Sequence, residues 1–516
     1  MSKITQRVPH YAMLLIEYYR LNMISADLLE YLVGLLVGPV YLDDGAKLPR
    51  QYFSLIRYTD DVEEMRGAHV VIKPSGFFSW DNYGKPSAEP QLPLAEWEGV
   101  PLLFGEPRYE WINEGKTLLL HADLIASSYY LISRYEEMTH RGQRDHLGRF
   151  PGSMSLPARA GFIHRPIVDE YSLALRSFLE RNGVLASAGL NLEPSGNTFT
   201  RIKLTHDICR PFWCRGIANI FKGIFYHKYN PFTILRVLLS SPSHDPYYTY
   251  DEIFASDKSV IDRFPEGRVQ SALFMRIPSG HELDTPNYRL TSPYLYHILS
   301  EADKIGAIFG LLCSHKSSQR PRLIPEELKT LRADLAKVYR RLYGWFEEQE
   351  NKGHAYKQNQ KCRRDLELTR SRHSSLALGE PEDVRELLVS GIRHDYSMGY
   401  MDSLGFRLGT SRPVRFINPN TRELTDLIMH PISLNASVLI NEEISHLRSE
   451  DEAYKYCCEV VDLVYKCGGE LTLSWQTDLF VKEEHPWIGS LYHRLLDYIS
   501  KTYGERKEFI PVNDQA

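Results

Sequence analysis

The run THDICR at 205–210 follows directly on the strand-like run RIKL and sets a histidine, an aspartate and a thiol close together. Polar groups at the C-terminal end of a barrel strand point into the usual active-site mouth, so His206 and Asp207 are the first candidates for chemistry. Standing alone, such a pair more often caps a turn or a helix start through side-chain hydrogen bonds. The seven cysteines, Cys209, Cys214, Cys313, Cys362, Cys457, Cys458 and Cys467, are odd in number and form no C-x-x-C pair. That favours reduced thiols over a disulfide framework or a zinc knuckle. Cys457 and Cys458 fall in the middle of a helical pattern, where core packing is the expected role. Tyr400, Trp475 and Trp487 are rings of the kind that stack on sugars, although most such rings are core.

The elements that must position these groups divide the chain in two. Up to about residue 110, short apolar runs such as HVVIKP and VPLLFG alternate with Pro/Gly/Asn-rich turns, and two amphipathic helical patterns follow, ADLIASSYYLISRYEEM and RPIVDEYSLALRSFLERNG. Residues 1–185 therefore read as an N-terminal α+β accessory domain. The charge-poor stretch at 186–198 reads as a linker, and 506–516 as a tail. Between them, over 199–505, strand-like runs (RIKLTH, RVQSALFM, AIFGLLCS, GELTLSW) alternate with helical patterns such as PEELKTLRADLAKVYRRLYGWFEEQE and DEAYKYCCEVVDLVYKCGG. This alternation predicts parallel strands with covering helices.

At 516 residues the chain is longer than one core usually serves, and a net charge of -5 is small for that length. Composition gives no argument for nucleic-acid or membrane-surface binding and leaves a small molecule or glycan open. No apolar run reaches the length of a membrane span, and the short run near the start is broken by Glu17 and Arg20. No signal peptide is read there, and the cytoplasm is the expected location.

A resemblance adds to this reading. THDIC is similar to the T-H-D-x-D motif that opens the polysaccharide deacetylase (NodB-homology) domain in a Bacteroidetes-type subgroup. GLLCSHKSS at 310–318 resembles G-L-H-P-S-Y-x-S, and SRHSSLAL at 371–378 resembles R-Q-H-Y-L-R. DYSMGYMDSLGFRLGTSRP at 395–413 resembles a long D-Y-T-M-G-Y…G-F-R-A-G-T-x-x-P block. LIMHPISLNASVL at 427–439 and LTLSWQTD at 471–478 resemble L-x-x-H-P-F…M-D and a closing L-W-H-N strand. PSGFFSW, ASSYYLISRYEEM, DHLGRFP and GFIHRPIVDEYSLAL resemble the uncharacterised domain that precedes the deacetylase domain in that subgroup.

The resemblance implies a (β/α) barrel of the polysaccharide deacetylase type behind the accessory domain. It also implies zinc or another divalent metal held by one carboxylate and two imidazoles, activating water against an N-acetyl group. The motifs are degenerate where that chemistry resides: Cys209 stands for the second aspartate, Leu312 for a histidine, Ser371 for an arginine, Asn435 for an acidic residue and Gln476 for a histidine. Leucine cannot ligate a metal and glutamine cannot exchange a proton near neutral pH.

The groups that remain are Asp207, Asp395, Arg407 and His430 as catalytic candidates, with Arg407 and Asp395 as a candidate ion pair at the barrel mouth. Asp207, Cys209, His373 and His315 form a rearranged metal set, and His206, Tyr400, Trp475 and Gln476 are candidate substrate contacts. Arg134, Glu136, Asp145, Arg165 and Asp169 are expected to be interdomain salt bridges rather than a ligand patch. Two functions follow. One is a deacetylase-like protein of bacterial glycan metabolism with little or no hydrolase activity and no bound metal, which binds a carbohydrate, a sugar nucleotide or a protein partner in polysaccharide biosynthesis. The other is an active metal-dependent carbohydrate de-N-acetylase with rearranged ligands. Convergence of the ligand set at one point would favour the enzyme, and apolar sealing of that point by Leu312 and Cys209 would exclude it.

Overall fold

The computed structural model describes residues 24–38, 55–192, 195–213, 220–221, 224–225, 230–343 and 368–505. Cys214, Cys362 and the tail at 506–516 lie outside the described residues. The chain forms two compact units. The first takes the residues up to Asp145, Phe150–Thr198 and Phe406–Asp426, and the second takes His146–Arg149, Phe199–Gly405 and the residues from Leu427 onward. Among the described residues no helix is long and apolar enough to cross a membrane.

In the first unit, strands β1 (Ile56–Tyr58), β2 (Val70–Ile72), β5 (Gly105–Ile112) and β6 (Thr117–Ala122) form a sheet of order β1-β2-β6-β5. β1, β2 and β6 run parallel and β5 is antiparallel to β6. β3 (Ala95–Trp97) and β4 (Val100–Leu102) make a separate antiparallel hairpin. β6 is buried along its whole length, as is the helix Leu124–Ile132 that follows it, started by the Asp123 carboxylate accepting from the Ala126 amide at 2.9 Å.

The segment Phe406–Asp426 was read from sequence as part of the second domain, but it belongs to the first unit. Its backbone pairs there, with the Val168 amide donating to the Gly409 carbonyl and the Phe406 amide to the Ile163 carbonyl, both at 2.9 Å. Gly409 has φ +62°, and a Cβ at that position would stand 2.8 Å from the Leu131 side chain, so the close approach requires glycine. Buried Asp169 is the anchor. It accepts from the Ser411 amide at 2.7 Å, the Ser411 hydroxyl at 2.6 Å and the Thr410 hydroxyl, and it faces the Arg412 guanidinium at 3.6 Å.

In the second unit the strands are β7 (Arg201–Ile208), β8 (Val269–Met275), β9 (Ile308–Cys313), β10 (Arg370–His373), β11 (His394–Met398), the part of β13 (Glu423–Pro431) from Leu427 onward, β14 (Leu434–Asn435) and β15 (Glu470–Ser474). With β12 (Val414–Asn418) they form one sheet of order β12-β13-β11-β10-β9-β8-β7-β15-β14. Every pairing from β13 to β14 is parallel. Sequence-coded caps delimit the helices. The helix Glu450–Cys467 starts on the Ser449 hydroxyl with three acidic residues in its first turn and stops on Gly468 at φ 65°.

This arrangement corrects the expected (β/α) barrel of the polysaccharide deacetylase type. The sheet is open, beginning at β12 and ending at β14 with no ladder between those edges. The reason is local. β13 has β11 on one side and β12 on the other, so it has no free edge with which to close, and β14 is two residues long.

Asp169→Ala removes the countercharge of the buried Arg412 guanidinium and the acceptor of the Ser411 amide and of the Ser411 and Thr410 hydroxyls. We expect it to lower the unfolding free energy by about 3 kcal/mol, measured by denaturant titration.

Candidate functional site

Because side chains alternate along a strand, register decides which candidates meet. Asp207 stands beside Phe274 of β8, Phe274 beside Gly310 of β9, and Leu312 beside Arg372 of β10. Lys203, Thr205, Asp207, Phe274, Leu312, Arg372, Tyr396 and His430 thus share one face. His206, Ser271, Ser371, His373 and Asp395 occupy the other.

The centre of the Asp207 face is an ion pair. The Arg372 guanidinium, fully buried, donates to the Asp207 carboxylate at 2.8 Å, to the Thr205 hydroxyl at 2.6 Å and to the Tyr396 carbonyl at 3.0 Å. It lies over the Phe274 ring at 4.6 Å. Phe274 has room because Gly310 faces it, where a Cβ would meet the ring at 2.6 Å. Leu312 closes the remaining space with Ala272, Phe274 and Tyr396, and Cys209 packs against this cluster. Cys209 is half-buried, and burial raises its thiol well above the ordinary range, with Asp478 and Asp207 adding to the effect. This favours the protonated thiol over the thiolate that a metal would need.

Nearer the N-terminal ends of the strands lies a second polar group on the same face. Lys203 donates to the Gln270 side chain at 2.7 Å. Glu470 meets the His430 Nδ1 at 2.6 Å, and the His430 Nε2 lies 3.0 Å from the His394 Nδ1. The His430 ring stacks on Tyr396 at 4.2 Å. Burial depresses Lys203 to about 8 against the pull of Glu470. Burial would raise Glu470, but His430 and Lys203 outweigh it and hold the carboxyl at about 2. His430, a catalytic candidate by sequence, is a buried member of this network and does not reach Asp207.

The opposite face holds two separate buried clusters. His206, read as a substrate contact, is instead locked in the core. Its Nδ1 lies 2.9 Å from the Trp475 carbonyl and its Nε2 3.1 Å from Asp257, which also accepts from Ser271 and Tyr492 at 2.6 Å each. His373 lies 3.2 Å from Asp383 and 3.8 Å from Asp395, two carboxylates that with Cys313 raise it well above the ordinary imidazole range although burial alone would lower it. Asp395 accepts from Ser371 at 2.8 Å, from the Ser397 amide at 2.8 Å and from the Ser397 hydroxyl at 3.1 Å.

The rearranged metal set therefore does not assemble. Asp207 is at the guanidinium, Cys209 packs against the Leu312 cluster, and His373 is on the far face. His315 is taken up elsewhere: its Nδ1 lies 2.9 Å from Asp284 and its Nε2 3.1 Å from the Ser375 hydroxyl. Burial would raise Asp284, but His315, Ser279 and Arg276 bring it to about 2.

The Arg407–Asp395 pair is also corrected, since Arg407 lies in the first unit and grips Glu137 through two bonds of 2.9 and 2.7 Å. Trp475 is fully buried, with its ring nitrogen donating to the Ile488 carbonyl at 3.2 Å, so it offers no stacking face. Gln476 is half-buried and accepts from Ser437 at 2.8 Å. Tyr400 is buried, and its carbonyl accepts from the Asn435 side chain at 3.4 Å. The expected interdomain salt bridges are internal to the first unit: Glu136 pairs with Arg159 at 2.5 Å, Arg165 with Glu170, and the Arg134 guanidinium lies 4.8 Å over the Phe416 ring.

Sequence reasoning missed Arg372, Lys203 and Glu470. Only the two arginines flanking Ser371 hinted that a cation sat on this strand.

Residues 19–183 match the model of a family of unknown function (DUF7033). The match covers less than half of the chain and ends before β7. No curated protein matches the chain.

Removing the Asp207 carboxylate strands a fully buried guanidinium. Asp207→Ala is expected to destabilise the fold by about 3–5 kcal/mol, read as a lower denaturation midpoint. For Glu470 the folded carboxyl sits at about 2 against an ordinary value of 4.5, so its stabilisation is complete above about pH 4.5. It is lost as pH falls toward 2. Tm measured across that window should drop more steeply in the wild type than in Glu470→Gln.

Proposed function

We propose that this chain is a polysaccharide deacetylase-like protein of bacterial glycan metabolism, cytoplasmic, that binds a carbohydrate without hydrolysing it. The motif resemblance supports the substrate class. What supports the absence of turnover is the buried Arg372–Asp207 pair. Where a de-N-acetylase needs a carboxylate free to hold a cation or take a proton from water, Asp207 already faces a permanent positive charge 2.8 Å away. A metal ion placed there would stand against that guanidinium in a low-dielectric interior, and its repulsion is not offset by any other ligand from the expected set. The alternative of an active enzyme needs the convergence that His373, His315 and Asp207 do not make.

The test is to incubate the purified protein with N-acetylated oligosaccharides and with an N-acetylated sugar nucleotide, measuring acetate release and binding heat in parallel. Binding without acetate, and a metal content unchanged in Asp207→Asn, is the expected result. Robust acetate release abolished by a chelator would overturn the reading.

A further inference from the structure

The first unit contains a different set of groups with metal-ligand chemistry, one of which, Glu136, was expected from sequence to be part of a salt bridge. Glu89, Glu136 and His140 each offer a donor atom, and these atoms lie within 4.8 Å of one another. Glu89 ends the short 3-10 turn Pro86–Ala88. Glu136 lies in, and His140 caps, the short helix Tyr135–Thr139. The Glu89 Oε1 is 3.1 Å from the His140 Nδ1 and accepts from the Thr139 hydroxyl at 2.6 Å. The Glu136 carboxylate accepts from the Leu156 amide at 2.6 Å and from Arg159 at 2.5 Å. The His140 Nδ1 also lies 3.2 Å from both the Thr139 hydroxyl and the Glu136 carbonyl.

An independent observation points into the same place. The Tyr130 hydroxyl has no hydrogen-bond partner among the described residues, although Tyr130 is 1% exposed. Its electrostatic neighbours are Glu136, Glu89 and Arg159. A buried phenol left unsatisfied within electrostatic reach of these two carboxylates is costly unless something else pairs with it. Two carboxylates against the one guanidinium of Arg159, which is 44% exposed and so screened by water, leave negative charge for that occupant to balance.

We propose that Glu89, Glu136 and His140 hold a divalent transition cation of the zinc class, with the Tyr130 hydroxyl or a water completing a four-coordinate shell. Oxygen and imidazole donors suit such an ion. Ligands at ~2.1 Å in a tetrahedron stand ~3.4 Å apart, so the donors need to draw in by about 1 Å. Glu89 and His140, with side chains 13% and 26% exposed, have the freedom to do so. The ion would tie the turn at Pro86–Ala88 to the helix Tyr135–Thr139, a structural clip inside the first unit. It does not depend on the carbohydrate reading of the second unit.

The experiment uses the full chain, stripped with a chelator and titrated with zinc chloride by calorimetry, and with cobalt(II) followed by its visible absorption. One equivalent of zinc, a rise in Tm on zinc addition and a four-coordinate cobalt spectrum are expected. Glu89→Gln and His140→Ala should each weaken zinc binding by roughly tenfold or more while circular dichroism stays native. Tyr130→Phe should alter the cobalt spectrum or leave a water in its place with affinity retained, and Asp207→Asn should bind zinc as the wild type does. No binding, or binding indifferent to Glu89→Gln and His140→Ala, overturns the site. Zinc lost with Asp207→Asn instead, while circular dichroism stays native, would overturn both this site and the non-hydrolytic reading of the second unit.

Discussion

A guanidinium in the interior of a sheet must be neutralised by the side chains around it, and Arg372 sets that requirement for the second unit. Its charge is met by Asp207, its remaining donors by Thr205 and the Tyr396 carbonyl, and its flat face by Phe274. These partners come from three strands, β7, β8 and β11, around Arg372 on β10, so the cluster ties four strands together in register. Removing one partner leaves a bare charge in a low dielectric, which is far costlier than never having had the pair. Gly310 makes way for Phe274, and Leu312 and Cys209 fill what space remains. Leu312 and Cys209, two of the places where the sequence departs from the motif it resembles, are thus the ones that let an apolar wall close around an arginine.

Much of the framework was legible in the sequence. The apolar runs RIKLTH, RVQSALFM, AIFGLLCS and GELTLSW are strands β7, β8, β9 and β15, their neighbours are parallel, and the helix around Cys457 and Cys458 carries its own start and stop signals. The open sheet was not legible. It depends on β12 occupying the outer edge of β13, and pairing partners far apart in sequence leave no local pattern.

The site was misread for a related reason. Asp207 and His373 each sit where a motif comparison places a polar group, but one-residue differences in parity send them to opposite faces. Arg370 and Arg372 flank Ser371 and point to the same face, and it is Arg372, one pleat further along β10, that pairs with Asp207. The Arg407 reading failed differently: the GFRLGTSRP block is contiguous in sequence with Asp395, yet the chain leaves the second unit between them. Contiguity in a motif says nothing about which core a residue joins.

That departure of the chain has a consequence for synthesis. Domains of nascent proteins generally fold in turn, the N-terminal one first. Here the first unit includes Phe406–Asp426, which carries the Ser411 and Arg412 partners of buried Asp169. Its polar core stays incomplete while most of the second unit is being translated, a delay on the order of ten seconds or more at ordinary ribosome speeds. During that interval a buried carboxylate and the apolar surface around Leu131 wait for a segment not yet made, and the two units must mature together rather than one after the other.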